Sequence, residues 1–116
     1  EAVPMVASDA PLTQALLAMT AGGMGMTAVC DADSRPIGIF TDGDLRRALE
    51  KGWDVRSTKL TEVMTRSPRS IGPEALAAEA AELMERMRIS QLLVLDADGG
   101  LVGALTTHDL MQAKVI

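Results

Sequence analysis

Two segments of the sequence place a threonine three residues before an aspartate, each at the end of an apolar run. The first is GIFTDGD at positions 38–44 and the second is GALTTHD at positions 103–109. This spacing is that of a capping box, in which the two side chains satisfy N–H groups at a helix start. The same helix start attracts anions, because its free N–H groups carry the positive end of the helix dipole. The pattern therefore predicts either two structural caps or two sites for a phosphate-bearing ligand, whose ribose hydroxyls would donate to the aspartates.

Other groupings of reactive side chains predict no catalytic or metal centre. Asp31 begins an Asp-x-Asp pair seen in calcium loops, but Arg35 stands where a third ligand belongs and Pro36 replaces the turn glycine. His108 is the one histidine in the sequence, so a zinc site lacks its second histidine ligand. Because Cys30 and His108 fall at unrelated places in the two halves of the chain, no nucleophile–base pair can be assembled, and we expect no catalysis from this sequence.

Charge and composition narrow the class of partner. The chain has 116 residues and a formal net charge of −5, which argues against a nucleic-acid partner. No apolar stretch approaches the ~20 residues that span a bilayer, and the single cysteine fits a reducing, cytoplasmic environment. One central stretch is nevertheless rich in cations, and it predicts either a solvated surface or a local phosphate site: Arg46, Arg47, Lys51, Arg56, Lys59, Arg66 and Arg69.

The sequence repeats itself once. One constant offset, without gaps, places Val29 on Val94, Gly38 on Gly103 and Asp44 on Asp109. Most other aligned positions keep their apolar character. Two copies are too few for a solenoid, so we expect a pair of related units.

Each copy predicts the same order of elements. A short extended segment comes first, at 4–6 and at 69–71. An amphipathic helix follows, because apolar residues recur at helical spacing; these are Leu12, Ala15, Leu16 and Met19 in the first copy and Leu76, Ala80, Leu83, Met84 and Met87 in the second. Gly22-Gly23 ends the first helix.

A hairpin and a last helix complete each copy. The hairpin strands are predicted at 27–30 and 37–40, and again at 92–95 and 101–105, with turn residues between them. The last helix begins after Thr41 or Thr106, and its buried face in the first copy is predicted to hold Leu45, Ala48 and Leu49.

These elements predict an α+β fold of tandem βαββα repeats. Each copy supplies a sheet of three strands at most, which leaves one sheet face uncovered, so we expect the copies to pack through their sheets with pseudo-twofold symmetry. The predicted boundaries are 1–52 for the first repeat, 53–65 for a connector with one helical turn around 60–64, and 66–116 for the second repeat.

The repeat resembles a known family. A strand followed by Gly-x-x-Thr-x-x-Asp-Leu and a helix, present twice, is similar to the pair of cystathionine-β-synthase-type (CBS) domains called a Bateman module. The run TDGDLRRALEKG at 41–52 also resembles the C-terminal region of arabinose-5-phosphate isomerases of the KpsF/GutQ type. The resemblance covers essentially the whole chain.

The resemblance implies a set of ligand-binding residues in a cleft between the copies. Ribose hydroxyls would lie on Asp44 and Asp109, and phosphate would lie near Thr41 and Thr106. Strand residues would flank the base, namely Val6, Met26, Thr27, Ile71, Gln91 and Leu92. The remaining candidates differ between the copies and predict one preferred site, because Arg46, Arg47 and Lys51 belong to the first and His108 to the second.

The resemblance also implies a function. The related isomerases serve the synthesis of the sugar acid Kdo, which is activated as CMP-Kdo for lipopolysaccharide. We therefore expect a regulatory module that senses CMP-Kdo or, more generically, AMP or ATP, and that needs no cofactor or metal. An N-terminal sugar-isomerase domain outside this sequence and a homodimer of CBS pairs are implied as partners. The alternative is a structural or oligomerising module with no ligand, in which the two motifs only cap helices.

Overall fold

The computed structural model describes residues 3–114 and divides them into two units, residues 3–68 and residues 69–114. The first unit contains β1 (Met5–Ala7), α1 (Leu12–Gly22), β2 (Met26–Cys30), β3 (Pro36–Thr41), α2 (Asp42–Glu50), α3 (Leu60–Val63) and β4 (Thr65–Arg66). The second unit contains β5 (Ser70–Ile71), α4 (Ala77–Met87), β6 (Gln91–Leu95), β7 (Leu101–Thr106) and α5 (Thr107–Gln112). The predicted βαββα order is therefore confirmed in both copies, while their pseudo-twofold packing stays a prediction.

The two sheets share their strand register. In each unit the first strand pairs in parallel with the second, and the second pairs antiparallel with the third. Val29 lies opposite Gly38 and Val94 lies opposite Gly103, and a bulge follows each of these valines. The constant offset seen in the sequence thus reappears in the strand pairing.

The aspartate-rich turns between the hairpin strands are built by side-chain capping. Asp31 Oδ1 accepts hydrogen bonds from the N–H groups of Asp33 and Arg35 at 2.9 and 3.0 Å. Asp96 Oδ1 does the same for the N–H groups two and four residues later, at 3.0 and 2.8 Å. Such local bonds favour turns over continued strands. The Asp-x-Asp pairs are therefore structural in both copies.

The helix α1 ends as predicted, because Gly23 adopts a left-handed conformation (φ 67°) and its N–H donates to the carbonyl of Met19 at 3.0 Å.

Each unit has its own apolar core under its sheet. The core of the first unit consists of Val6, Ala10, Leu12, Ala15, Met19, Val29, Phe40, Leu60 and Met64. The core of the second unit consists of Ala80, Met84, Leu92 and Leu110.

Two leucines predicted to be buried are exposed. Leu76 is the N-cap of α4 and is 66% exposed, so the buried stripe of that helix starts only at Ala80. Leu49 is 55% exposed, since the buried stripe of α2 runs through Asp44 and Ala48. Each helical residue turns the side chain by roughly 100°, which carries Leu49 off that stripe.

The first sheet has four strands rather than three. The strand β4 pairs antiparallel with β3 and places Arg66 opposite Gly38 and Thr65 opposite Ile39. The prediction of at most three strands is therefore wrong for the first unit and confirmed for the second. A two-residue strand leaves no periodicity to detect, although the helical turn predicted just before it is present as α3.

Gly38 makes room for this fourth strand. A Cβ atom at Gly38 would lie 2.8 Å from the carbonyl oxygen of Thr65, whereas one at Gly103 would lie 3.5 Å from the Cβ of Val94. We expect Gly38→Ala to lower the free energy of unfolding by about 1–3 kcal/mol, because backbone atoms of β4 must move. Gly103→Ala is the matched control, and its cost should be below about 1 kcal/mol. Urea denaturation measures both, and equal losses would contradict this account of the fourth strand.

Within residues 3–114, no helix combines the length and the apolar composition needed to cross a membrane.

Candidate functional site

The first threonine–aspartate motif forms a complete capping box. Thr41 is the N-cap of α2, and the N–H of Asp44 donates to Thr41 Oγ1 at 3.1 Å. In return Asp44 Oδ2 accepts from the N–H of Thr41 at 3.0 Å and from its hydroxyl at 3.1 Å. The prediction that this motif caps a helix is confirmed.

The second oxygen of the same carboxylate is also engaged. Asp44 Oδ1 accepts from Arg47 Nη2 at 2.6 Å and from the hydroxyl of Thr65 at 2.9 Å. A carboxylate has about four lone-pair positions for hydrogen bonds, and four donors already occupy this one. Asp44 is only 4% exposed. In this conformation the Asp44 carboxylate has no acceptor position left for a ribose hydroxyl.

Thr65 is a site residue that the sequence reading missed. It lies 21 positions along the chain from Asp44 and reaches it because β4 pairs with β3. No local pattern marks Thr65, since its role depends on a strand of two residues. The predicted phosphate-binding Arg47 is likewise turned to the Asp44 carboxylate, with its side chain 55% exposed.

The second motif repeats the box but leaves one oxygen open. Thr106 is the N-cap of α5, and the N–H of Asp109 donates to Thr106 Oγ1 at 3.2 Å. Asp109 Oδ2 accepts from the N–H of Thr106 at 2.8 Å and from its hydroxyl at 3.1 Å. The half-buried Asp109 has no hydrogen bond from residues 3–114 on its Oδ1. Its capped carboxylate is thus fixed in place with one oxygen available.

Two differences between the copies leave Asp109 Oδ1 open, one in sequence and one in strand pairing. The position that corresponds to Arg47 in the second copy is Gln112, which is exposed. The strand β7 pairs only with β6 among the residues described, so no threonine on a fourth strand approaches Asp109. Both motifs cap their helices. Among the residues described, the Asp44 carboxylate has hydrogen bonds on both oxygens, whereas the Asp109 carboxylate has them on Oδ2 alone.

The other predicted contacts are dispersed. Lys51 lines a shallow cavity of about 170 Å³ together with Asp44, Arg47 and Trp53. Arg46 and His108 are exposed on α2 and α5. The strand residues predicted to flank a base are buried or half-buried in their sheets: Val6, Met26, Thr27 and Leu92 are buried, and Ile71 and Gln91 are half-buried.

The lone cysteine is not set up as a nucleophile. Cys30 is buried, and burial raises the pKa of its thiol, with the neighbouring negative charge of Asp31 acting in the same direction. A raised thiol pKa lowers the thiolate fraction at neutral pH. Among residues 3–114, no group of three or more histidine, cysteine, aspartate or glutamate side chains is arranged to hold a metal ion.

Known sequences match this chain over both of its copies. The CBS domain family model matches residues 1–51 and 60–116. Arabinose 5-phosphate isomerase KdsD of Pseudomonas aeruginosa is 49% identical over 116 residues, which cover 100% of this chain and 36% of that protein. The chain spans about a third of the length of the curated relatives that it matches.

Solved structures show the same fold. A CBS domain protein from Pyrobaculum aerophilum, complexed with AMP, superimposes with a TM-score of 0.88 over 95% of this chain and 84% of that chain, at 21% identity. The CBS domain pair of protein MJ0100, in complex with 5′-methylthioadenosine and S-adenosyl-L-methionine, gives a TM-score of 0.89 over 99% of this chain and 90% of that chain, at 20% identity.

Proposed function

Because the chain belongs to the CBS domain family, we propose that it is the regulatory, nucleotide-binding CBS pair of an arabinose-5-phosphate isomerase. The 49% identity to the KdsD enzyme supports the choice of parent. In the proposal, an N-terminal sugar-isomerase domain of a cytoplasmic parent carries the catalysis. The ligand regulates that domain because it binds one of two conformational states more tightly.

The observation that carries the proposal is the open oxygen of Asp109. The ligands in both structural relatives contain an adenosine unit and hence a ribose. A carboxylate accepts charge-assisted hydrogen bonds, which are stronger than neutral ones. The capping bonds from Thr106 hold Asp109 in one orientation and leave Oδ1 for the ribose hydroxyls. Little ordering entropy then remains to oppose binding.

We assign the ribose to the second motif because the first is already saturated. A ligand at Asp44 would have to displace the hydroxyl of Thr65 or the guanidinium of Arg47. Displacing the guanidinium would break an ion pair, and displacing the Thr65 hydroxyl would exchange one hydroxyl for another without net gain. This supports one preferred ribose site in the pair rather than two equivalent ones.

The finer part of the proposal is the identity of the ligand. CMP-Kdo contains a ribose with the same hydroxyls, and it adds the carboxylate of a sugar acid. AMP and ATP are the alternatives. The homodimer of CBS pairs remains a prediction of the family resemblance.

Calorimetric titration of this chain with CMP-Kdo, AMP and ATP tests the proposal. We expect one ligand per chain, with CMP-Kdo the tightest at a dissociation constant in the micromolar range or below, about −8 kcal/mol. The analogue with 2′-deoxyribose should bind about tenfold or more weakly, since it lacks one hydroxyl for Asp109. If none of the three nucleotides gives heat at high micromolar concentration, the two motifs are only caps and the module is structural.

A further inference from the structure

A concave site separate from both threonine–aspartate motifs lies in the first unit. It is formed by the end of β1, the start of α1 and the segment leading into α3. Its volume is about 450 Å³, within the range of small-molecule pockets. Pro11 and Lys59 form an isolated antiparallel bridge that joins the two segments. The residues that matter for its chemistry are Ser8, Asp9, Arg56, Ser57, Thr58 and Lys59. None of them belongs to the threonine–aspartate motifs.

The hydroxyl of a nearly buried threonine, Thr58, opens on this cavity. Thr58 is 8% exposed, and its N–H is fixed by a hydrogen bond to the carbonyl of Asp54 at 2.9 Å. No hydrogen bond joins its hydroxyl to any of residues 3–114. Within the same residues, no fully buried side-chain oxygen or nitrogen lacks a partner, so the Thr58 hydroxyl must reach the cavity that it lines. This hydroxyl, held on a nearly buried residue, is therefore free to donate to or accept from a molecule in the cavity.

The charges around the cavity favour an anion. The side chains of Arg56 and Lys59 form no salt bridge within residues 3–114, and Asp9 is the one carboxylate lining the cavity. The helix α1 begins directly behind Pro11, without a side-chain cap and without an acidic residue in its first turn. Its uncompensated N–H groups therefore add positive potential at this end.

We propose that this cavity binds a phosphomonoester of a polyhydroxyl compound, that is, a sugar phosphate. The phosphate lies against Arg56, Lys59 and the Thr58 hydroxyl, which donate to its oxygens. The Asp9 carboxylate accepts from a hydroxyl of the sugar. The site lies wholly within the first unit and goes beyond the nucleotide site proposed at Asp109. It gives the module a means to respond to a small metabolite as well as to a nucleotide.

Titration of the whole chain with ribose 5-phosphate, followed by amide NMR shifts at low ionic strength, tests the proposal. We expect saturable shifts centred on Ser8, Asp9 and Thr58. Thr58→Val keeps the shape of the side chain, so the thermal midpoint should stay unchanged while the affinity falls about five- to tenfold. Arg56→Gln and Lys59→Gln should each cost about tenfold. The matched control is Arg86→Gln, an exposed cation of the second unit, which should change nothing.

Two further variants test whether the sugar part of the ligand is bound and which site it occupies. Asp9→Asn should weaken binding of ribose 5-phosphate but should not weaken binding of inorganic phosphate, because only the sugar donates to Asp9 and the loss of a negative charge favours an anion. Asp109→Asn should leave ribose 5-phosphate binding intact; a loss there would mean that the compound occupies the nucleotide site, and the proposal would be wrong. It is equally overturned if the wild-type chain shows no saturable shifts up to about 10 mM, well beyond a millimolar dissociation constant. The same holds if Thr58→Val, Arg56→Gln and Lys59→Gln all bind like the wild type. None of these outcomes depends on whether nucleotides bind.

Discussion

Replacing Asp109 by Asn is expected to weaken binding of the preferred nucleotide about 30- to 100-fold. The open Oδ1 of this carboxylate is the proposed acceptor for the ribose hydroxyls, and hydrogen bonds to a charged group contribute about 1.5–3 kcal/mol. The asparagine oxygen can still accept the N–H of Thr106, which Asp109 Oδ2 accepts at 2.8 Å. The fold should therefore persist, and titration calorimetry measures the loss directly.

The matched control is the same substitution in the first motif. Asp44→Asn should change nucleotide affinity less than about threefold, because Arg47 and Thr65 already occupy the oxygen that corresponds to the open one. Equal losses of affinity in the two variants would refute the assignment of the ribose to the second unit.

Giving Asp109 a hydrogen-bond partner from its own helix provides an independent test of the proposed ribose contact. Gln112→Arg places an arginine three residues after Asp109, the same spacing that brings Arg47 onto Asp44 at 2.6 Å. The new guanidinium should compete for Asp109 Oδ1 and weaken nucleotide binding about tenfold, the equivalent of about 1.4 kcal/mol. Unchanged affinity would show that Asp109 Oδ1 is not the ligand contact.

The second large effect is on stability, and it falls on the other aspartate. Asp44→Ala is expected to lower the free energy of unfolding by about 2–3 kcal/mol, because removing this nearly buried carboxylate leaves four donors without their acceptor. These donors link α2 to the strand β4 as well as to its own N-terminus. Asp109→Ala removes only a capping interaction and should cost about 1 kcal/mol. Urea denaturation of the two variants separates these values.

Replacing one hydrogen-bond donor at a time measures how much each contributes to the stability of the network around Asp44. Thr65→Val should cost about 1 kcal/mol, the net value of one hydrogen bond. Arg47→Gln should cost less than about 1 kcal/mol, because its half-exposed side chain can form compensating bonds to water. If Asp44→Ala were no more harmful than Asp109→Ala, the Asp44 network would not fasten β4, and the four-stranded sheet would need another explanation.

The sequence by itself determined the parts that depend on neighbouring residues. The caps at Thr41 and Thr106, the glycine end of α1 and the aspartate turns all follow from bonds that span a few positions. The duplicated βαββα order follows from apolar periodicity, which a single chain displays without any partner. The error at Leu49 arose at the end of a short helix, where one residue decides which face is buried.

Only the tertiary structure decided what the two aspartates are free to do. Asp44 and Asp109 stand in the same motif, and the one local difference described above is that Arg47 follows the first where Gln112 follows the second. The other part of the difference is not visible in the sequence, because β4 returns to pair with β3 over Gly38 and carries Thr65 onto Asp44. The Thr58 cavity likewise joins segments that are far apart in the chain. Local bonds depend on spacing, which the sequence displays, whereas the occupancy of a carboxylate depends on which distant strand packs beside it.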